Sequence, residues 1–187
     1  MIYYHYAELV HRQAEKYGSR TALKYRDNAT GKWLKISWKE FSEKVMLTAK
    51  AMAEFGIGVQ ENIGVYSQNM PQCFYTDFGA YANRVVSIPM YATNSPGQIE
   101  YIINDAHIHT LFVGEQLQYN NAFKVQKESQ YLKRLVVFDL AVKLNPEDKT
   151  SIYFDDFLRL GDNAHAETTV KIRMNEAVPE DLATIIY

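Results

Sequence analysis

Three short apolar runs within residues 61–114 decide the fold: Ile63-Gly64-Val65-Tyr66-Ser67, Val85-Val86-Ser87-Ile88-Pro89-Met90-Tyr91 and Thr110-Leu111-Phe112-Val113-Gly114. None alternates apolar with polar residues, as a strand with one wet face would. Helix-like stretches separate them. Pro71 is placed for the first turn of a helix reaching about Asn83. Ser95-Pro96-Gly97-Gln98 supplies an N-cap, a Pro at N1 and a capping-box partner, and Ile99, Ile102, Ile103 and Ala106 then share one helical face. Fully apolar strands alternating with helices predict an α/β fold: a mostly parallel sheet flanked by helices.

The rhythm continues downstream. A helix is expected from about Glu115 to Ser129, a fourth strand at Leu135-Val136-Val137-Phe138, and a fifth at Ala183-Thr184-Ile185-Ile186-Tyr187. Gly161 to Asp181 is polar and lacks periodicity, so it reads as a long connection. Upstream, Tyr6, Leu9, Val10, Ala14 and Tyr17 mark a helix face that ends at Gly18. Thr21–Arg26 and Lys32–Trp38 flank an Asx- and Gly-rich turn, the pattern of a β-hairpin. Ser37-Trp38-Lys39-Glu40 is a capping box, and Phe41, Val45, Thr48, Ala49, Met52 and Phe55 follow on the helix it starts, which ends at Gly56. The expected divisions are residues 1–60 (helix, hairpin, capped helix), 61–160 (the α/β unit) and 161–187 (connection and final strand), within one structural domain.

At 187 residues the chain is the size of one ordinary domain. Twenty Lys and Arg against 22 Asp and Glu give a net charge of −2, which argues against a protein that neutralises many nucleic-acid phosphates. The single cysteine, Cys73, can form neither an internal disulfide nor a Cys-based zinc site, which favours a reducing, cytoplasmic setting. Met1–Tyr6 lacks the basic and apolar regions of a secretory signal, and no run approaches a transmembrane segment. The apolar run Leu182–Tyr187 ends the chain where a buried strand would be expected to continue, so the chain reads as cut.

Phosphate motifs are absent. Gly31-Lys32 would need Gly at Arg26 and Ser or Thr at Trp33 to be a P-loop, and no G-x-G-x-x-G occurs. His107 and His109, with Asp105, fall short of a zinc ligand set and read as surface histidines at a helix-to-strand junction. Cys73 lacks an identifiable base or cation and reads as buried and inert. Asp155-Asp156 reads as the cap of a short helix, and Asn28-Ala29-Thr30, a sequon in form, as a turn. Tyr66, Tyr75, Tyr81, Tyr91 and Tyr101 fit helix–sheet interfaces better than a ligand channel. From the residues alone, no complete catalytic set is present.

Several segments nevertheless resemble adenylate-forming enzymes. Pro179-Glu180-Asp181-Leu182-Ala183-Thr184-Ile185-Ile186-Tyr187 is similar to the strand that leads into that family's Thr-Ser-Gly-Thr-Thr-Gly-type phosphate loop. Ile36-Ser37-Trp38-Lys39-Glu40-Phe41 resembles an early Leu-Thr-Tyr-x-Glu-Leu motif, and Gly79–Tyr91 a second core motif. Ala92–Ala106 is especially like long-chain fatty-acid–CoA ligases.

The resemblance covers nearly the whole chain in order. It implies a parent enzyme that uses ATP and magnesium to convert a fatty acid to an acyl-adenylate and then transfers the acyl group to CoA. It also implies that this chain is an N-terminal scaffold, inactive alone and without catalytic or metal-binding residues of its own. Tyr187 would frame the phosphate loop, and Tyr91, Ala92 and Thr93 would line the pantetheine tunnel. No nucleic-acid partner is expected, and the resemblance leaves room for a homodimer and a peripheral place at a membrane. A free-standing, non-catalytic α/β binding module is the alternative, and a flavodoxin-like nucleotide binder the weaker third reading.

Overall fold

A computed structural model describes residues 5–27 and 30–187. Residues 1–4, part of the signal-peptide reading, and Asn28 and Ala29 of the sequon lie outside the described residues. The chain begins with α1 (Tyr6–Tyr17), the antiparallel pair β1 (Thr21–Arg26) and β2 (Trp33–Ser37), and α2 (Trp38–Glu54). The capping box forms as expected: Ser37 Oγ accepts from Glu40 N at 3.2 Å, and the Glu40 carboxylate accepts from Ser37 N at 2.8 Å.

The α/β unit follows as β3 (Asn62–Tyr66), α3 (Pro71–Ala82), β4 (Val86–Met90), α4 (Pro96–Asp105), β5 (Thr110–Val113), α5 (Gln116–Glu128), β6 (Arg134–Val137) and β7 (Ser151–Tyr153). The five strands form one parallel sheet in the order β4-β3-β5-β6-β7. Two further helices, α6 (Phe154–Leu160) and α7 (Ala164–Asn175), complete the described chain. None of its helices is long and apolar enough to cross a membrane.

Both faces of the sheet are covered, which is why its strands are apolar throughout. On one face Ile99 and Ile103 of α4 and Tyr119 and Ala122 of α5 bury Ile88 and Leu111. On the other, Val45 and Met52 of α2, Tyr75 of α3 and Phe157 of α6 bury Val65 and Phe112. The first two crossovers therefore lie on opposite faces: α3 joins β3 to one neighbour, α4 returns over the other face, where α5 joins it, and β5 pairs with the opposite side of β3.

Two expectations fail beyond residue 150. The segment 161–181 is not a plain connection, because it contains α7. That helix buries only Ala166 and Val170, and Val170 meets Ala49 and Ala82, so its contact is made by small residues rather than an apolar stripe. Asn163 caps it, accepting from Ala166 N at 2.7 Å. The fifth strand is β7, not 183–187. The terminal segment makes a single parallel bridge, Thr184 with Ser87. Ser87 N donates outward to Ala183 O at 3.0 Å, but the next outward position on β4 is Pro89, which has no N–H to extend the ladder.

Candidate functional site

Five parallel strands end on one edge of the sheet, and a crevice opens there where neighbouring strands lead to opposite faces. Here those strands are β3 and β5. Ser67 and Gln68 follow β3, while Gly114 and Glu115 follow β5. A Cβ on Gly114 would lie 2.4 Å from Ser67 Oγ and 2.7 Å from Gln68 Oε1, so only glycine lets these two strand ends approach so closely. A recess of about 700 Å³ lies beside them, between the start of α3, the residues after β6 (Phe138, Asp139) and the β1–β2 hairpin. The buried side-chain oxygens of Gln68 and Gln72 accept no hydrogen bond there.

The turn after β4 contains the predicted pantetheine residues and is tightly held. Asn94 N donates to Tyr91 O at 2.9 Å, closing the turn. Gln118 Nε2 donates to Ala92 O at 2.9 Å from a side chain only 5% exposed. Tyr66 OH donates to Asn94 O at 2.6 Å and accepts from Asn121 Nδ2 at 3.0 Å. The Tyr91 ring stands 72% exposed, and Thr93 is exposed beside it. Gln118, Tyr66 and Asn121 were not legible as site residues. The available signal was Gln118, three residues after Glu115 and placed to accept from its amide, a box whose remaining amide nitrogen could reach elsewhere.

Tyr187 lies apart from that turn, against α4. Its hydroxyl donates to Asp105 Oδ2 at 2.5 Å, and its ring meets Tyr101 edge-on at 6.3 Å between centroids. Partial desolvation and the neighbouring Asp105 carboxylate push its pKa up to about 12, so it is a neutral hydrogen-bond donor at physiological pH. The segment before it is anchored by a two-point pair, Arg84 Nε and a terminal guanidinium nitrogen donating to the Asp181 carboxylate at 2.8 and 3.1 Å.

The other sequence candidates do not assemble a reaction centre. His107 stacks on Tyr131 at 4.5 Å, with His109 against the same ring at 6.3 Å. Among the described residues no group of three or more His, Cys, Asp or Glu side chains could hold a metal. Burial pushes the Cys73 thiol up, and its Sγ donates to Gln68 O at 3.4 Å, so the thiolate a nucleophile needs is disfavoured. Asp155 and Asp156 sit in the first turn of α6 rather than at its cap. Tyr66 and Tyr75 are buried at helix–sheet interfaces, whereas Tyr91 and Tyr101 are exposed. His11 and Ser42 make a 2.6 Å hydrogen bond, but His11 Nε2 has no partner to orient it as a base.

Residues 10–187 match the family of AMP-binding enzymes. The chain belongs to that family. Among curated relatives, this AMP-binding chain is 27% identical over 166 residues to long chain acyl-CoA synthetase 3 of Arabidopsis thaliana, an alignment covering 86% of this chain and 24% of the relative. It is 24% identical over 181 residues to the long-chain-fatty-acid–CoA ligase ACSBG2 of Xenopus laevis, covering 96% of this chain and 24% of that one. The chain thus spans about a quarter of the length of the curated relatives it matches. Among solved structures, coronafacic acid ligase from Pectobacterium brasiliense superposes with a TM-score of 0.81 at 13% identity, over 98% of this chain and 33% of that one, a likeness of fold.

Proposed function

We propose that this AMP-binding chain supplies the N-terminal part of an ATP-dependent long-chain fatty-acid–CoA ligase, and that it forms no acyl-adenylate alone. The observation that carries the reading is the family match over residues 10–187, joined to relatives named as long-chain acyl-CoA ligases. Inactivity of the isolated chain is part of the same proposal, supported by its spanning about a quarter of the length of those relatives.

The part assigned to this chain is positional. The turn Tyr91-Ala92-Thr93 presents small or exposed side chains on a backbone held from below by Gln118 and Tyr66, which suits a surface along which a thin pantetheine arm lies. Tyr187, neutral and fixed by Asp105, frames the approach to a phosphate loop.

Three measurements test this. The isolated chain with ATP, magnesium and a long-chain fatty acid is expected to give no ATP–pyrophosphate exchange, and measurable exchange overturns its inactivity. In the complete gene product, fatty-acid-dependent exchange is expected, and its absence overturns the ligase reading. There Thr93→Trp is expected to raise KM for CoA about tenfold, a loss of roughly 1.4 kcal/mol, with the exchange half-reaction unchanged. An unchanged KM removes the pantetheine assignment alone.

A further inference from the structure

A second cavity lies behind the recess at the sheet edge and differs from it in chemistry. It measures about 340 Å³ and is walled by Leu9 and Val10 of α1, Trp38 and Phe41 of α2, and Phe78 of α3, with Gln13 its one polar side chain. Leu23 and Phe74 line both cavities, so the apolar chamber and the polar recess adjoin across these two side chains. Each volume falls in the range of small-molecule sites.

The recess has a definite polarity. Four carboxylates line it (Asp27, Glu115, Asp139 and Asp155) against two cations, Lys24 and Arg26. An anion is disfavoured there, and a donor-bearing head group is favoured.

We propose that the two cavities form one binding site for an amphiphile, its single aliphatic chain in the apolar chamber and a cationic or hydroxyl-bearing head in the recess. The site is separate from the Tyr91–Thr93 turn and does not rest on the ligase reading. A fatty carboxylate is the wrong head group for it, so it would respond to alkylamines or alkanols rather than to the substrate of that reaction.

The chain's two tryptophans separate the compartments, because Trp38 lines the chamber and Trp33 the recess. In Trp33→Phe, emission therefore comes from Trp38 alone. Titration with decylamine below its micelle concentration is expected to give a saturable blue shift. Decanol should bind more weakly, and decanoate about tenfold or more below decylamine. Leu9→Arg, which puts a charge into the chamber wall, should weaken decylamine about tenfold while circular dichroism stays unchanged. Asp155→Asn, which removes one recess carboxylate with the chamber intact, should reduce the preference for decylamine over decanoate and so provides the test if Leu9→Arg does not fold. Equal affinity for decanoate, a non-saturating shift, or a head-group preference unmoved by Asp155→Asn each overturns the proposal.

Discussion

Asp77, on α3, keeps its carboxylate largely out of water and accepts a hydrogen bond from Ser87 Oγ at 2.7 Å. Burial raises its pKa above the ordinary aspartate value of 3.8, and the Ser87 bond offsets only part of that rise. Between the ordinary value and the raised one, the folded chain holds a proton that the unfolded chain has released. The residue therefore adds stability at acid pH, and that contribution is lost as pH rises through the raised value. Asp77→Asn, which still accepts from Ser87, is expected to flatten this part of the profile and to be at least as stable as the parent at neutral pH. Urea unfolding from about pH 3 to about pH 8 reads it, and a profile identical to the parent's contradicts the assignment. Gly161 shows a different residue-scale constraint. A Cβ there would lie 2.6 Å from Ala51 N and 2.8 Å from Leu47 O, both main-chain atoms of α2 that cannot rotate away. Gly161→Ala should cost about 1–3 kcal/mol in the same measurement. Neither constraint is legible locally, because one joins a helix to the strand after it and the other sets Gly161 against α2, far upstream in the chain. Ser37 and Ser95 are legible as caps because the atoms they bond are three residues away.

Elements whose signals are short-range or strongly periodic follow the sequence closely. The two capping boxes, the β1–β2 hairpin and the apolar strands fall where pattern and turn chemistry place them. Those that differ share a physical cause: a distant partner decides them. α7 docks through Val170 on Ala49 and Ala82, and Arg173 donates to Asn83 Oδ1 at 2.9 Å and to Ile57 O at 3.0 Å, none of which leaves a periodic apolar stripe. β7 spans three residues, too few to show a pattern, and exists because β6 offers it an edge. The segment 183–187 has strand composition, but its outer neighbour on β4 lacks the second donor. Pro89→Val restores that donor, so hydrogen exchange should show a protected amide at position 89 and slower exchange in the 183–186 segment. If neither changes, Pro89 is not what ends the ladder. The turn at Tyr91–Thr93 was legible as a place, through its resemblance, whereas the side chains that hold it come from β3 and α5 and were not.

Across the whole molecule, the hydrophobic cluster that includes α2 reaches Val10 of α1 and the sheet residues Ile63, Phe112 and Val136, while the sheet's opposite face closes the other cluster. Removing the N-terminal elements would strip one face of the strands. Urea unfolding followed by near- and far-ultraviolet circular dichroism should therefore give coincident, two-state transitions. Separate midpoints would mean that the two faces come apart independently. The turn held by Gln118 and Tyr66 has a thermodynamic counterpart at this scale. Three of its carbonyls already carry hydrogen bonds before any ligand arrives, so a molecule settling on it orders almost no additional backbone. Its association should be fast and close to lock-and-key, and calorimetry should record little of the entropy loss that accompanies a loop freezing on contact.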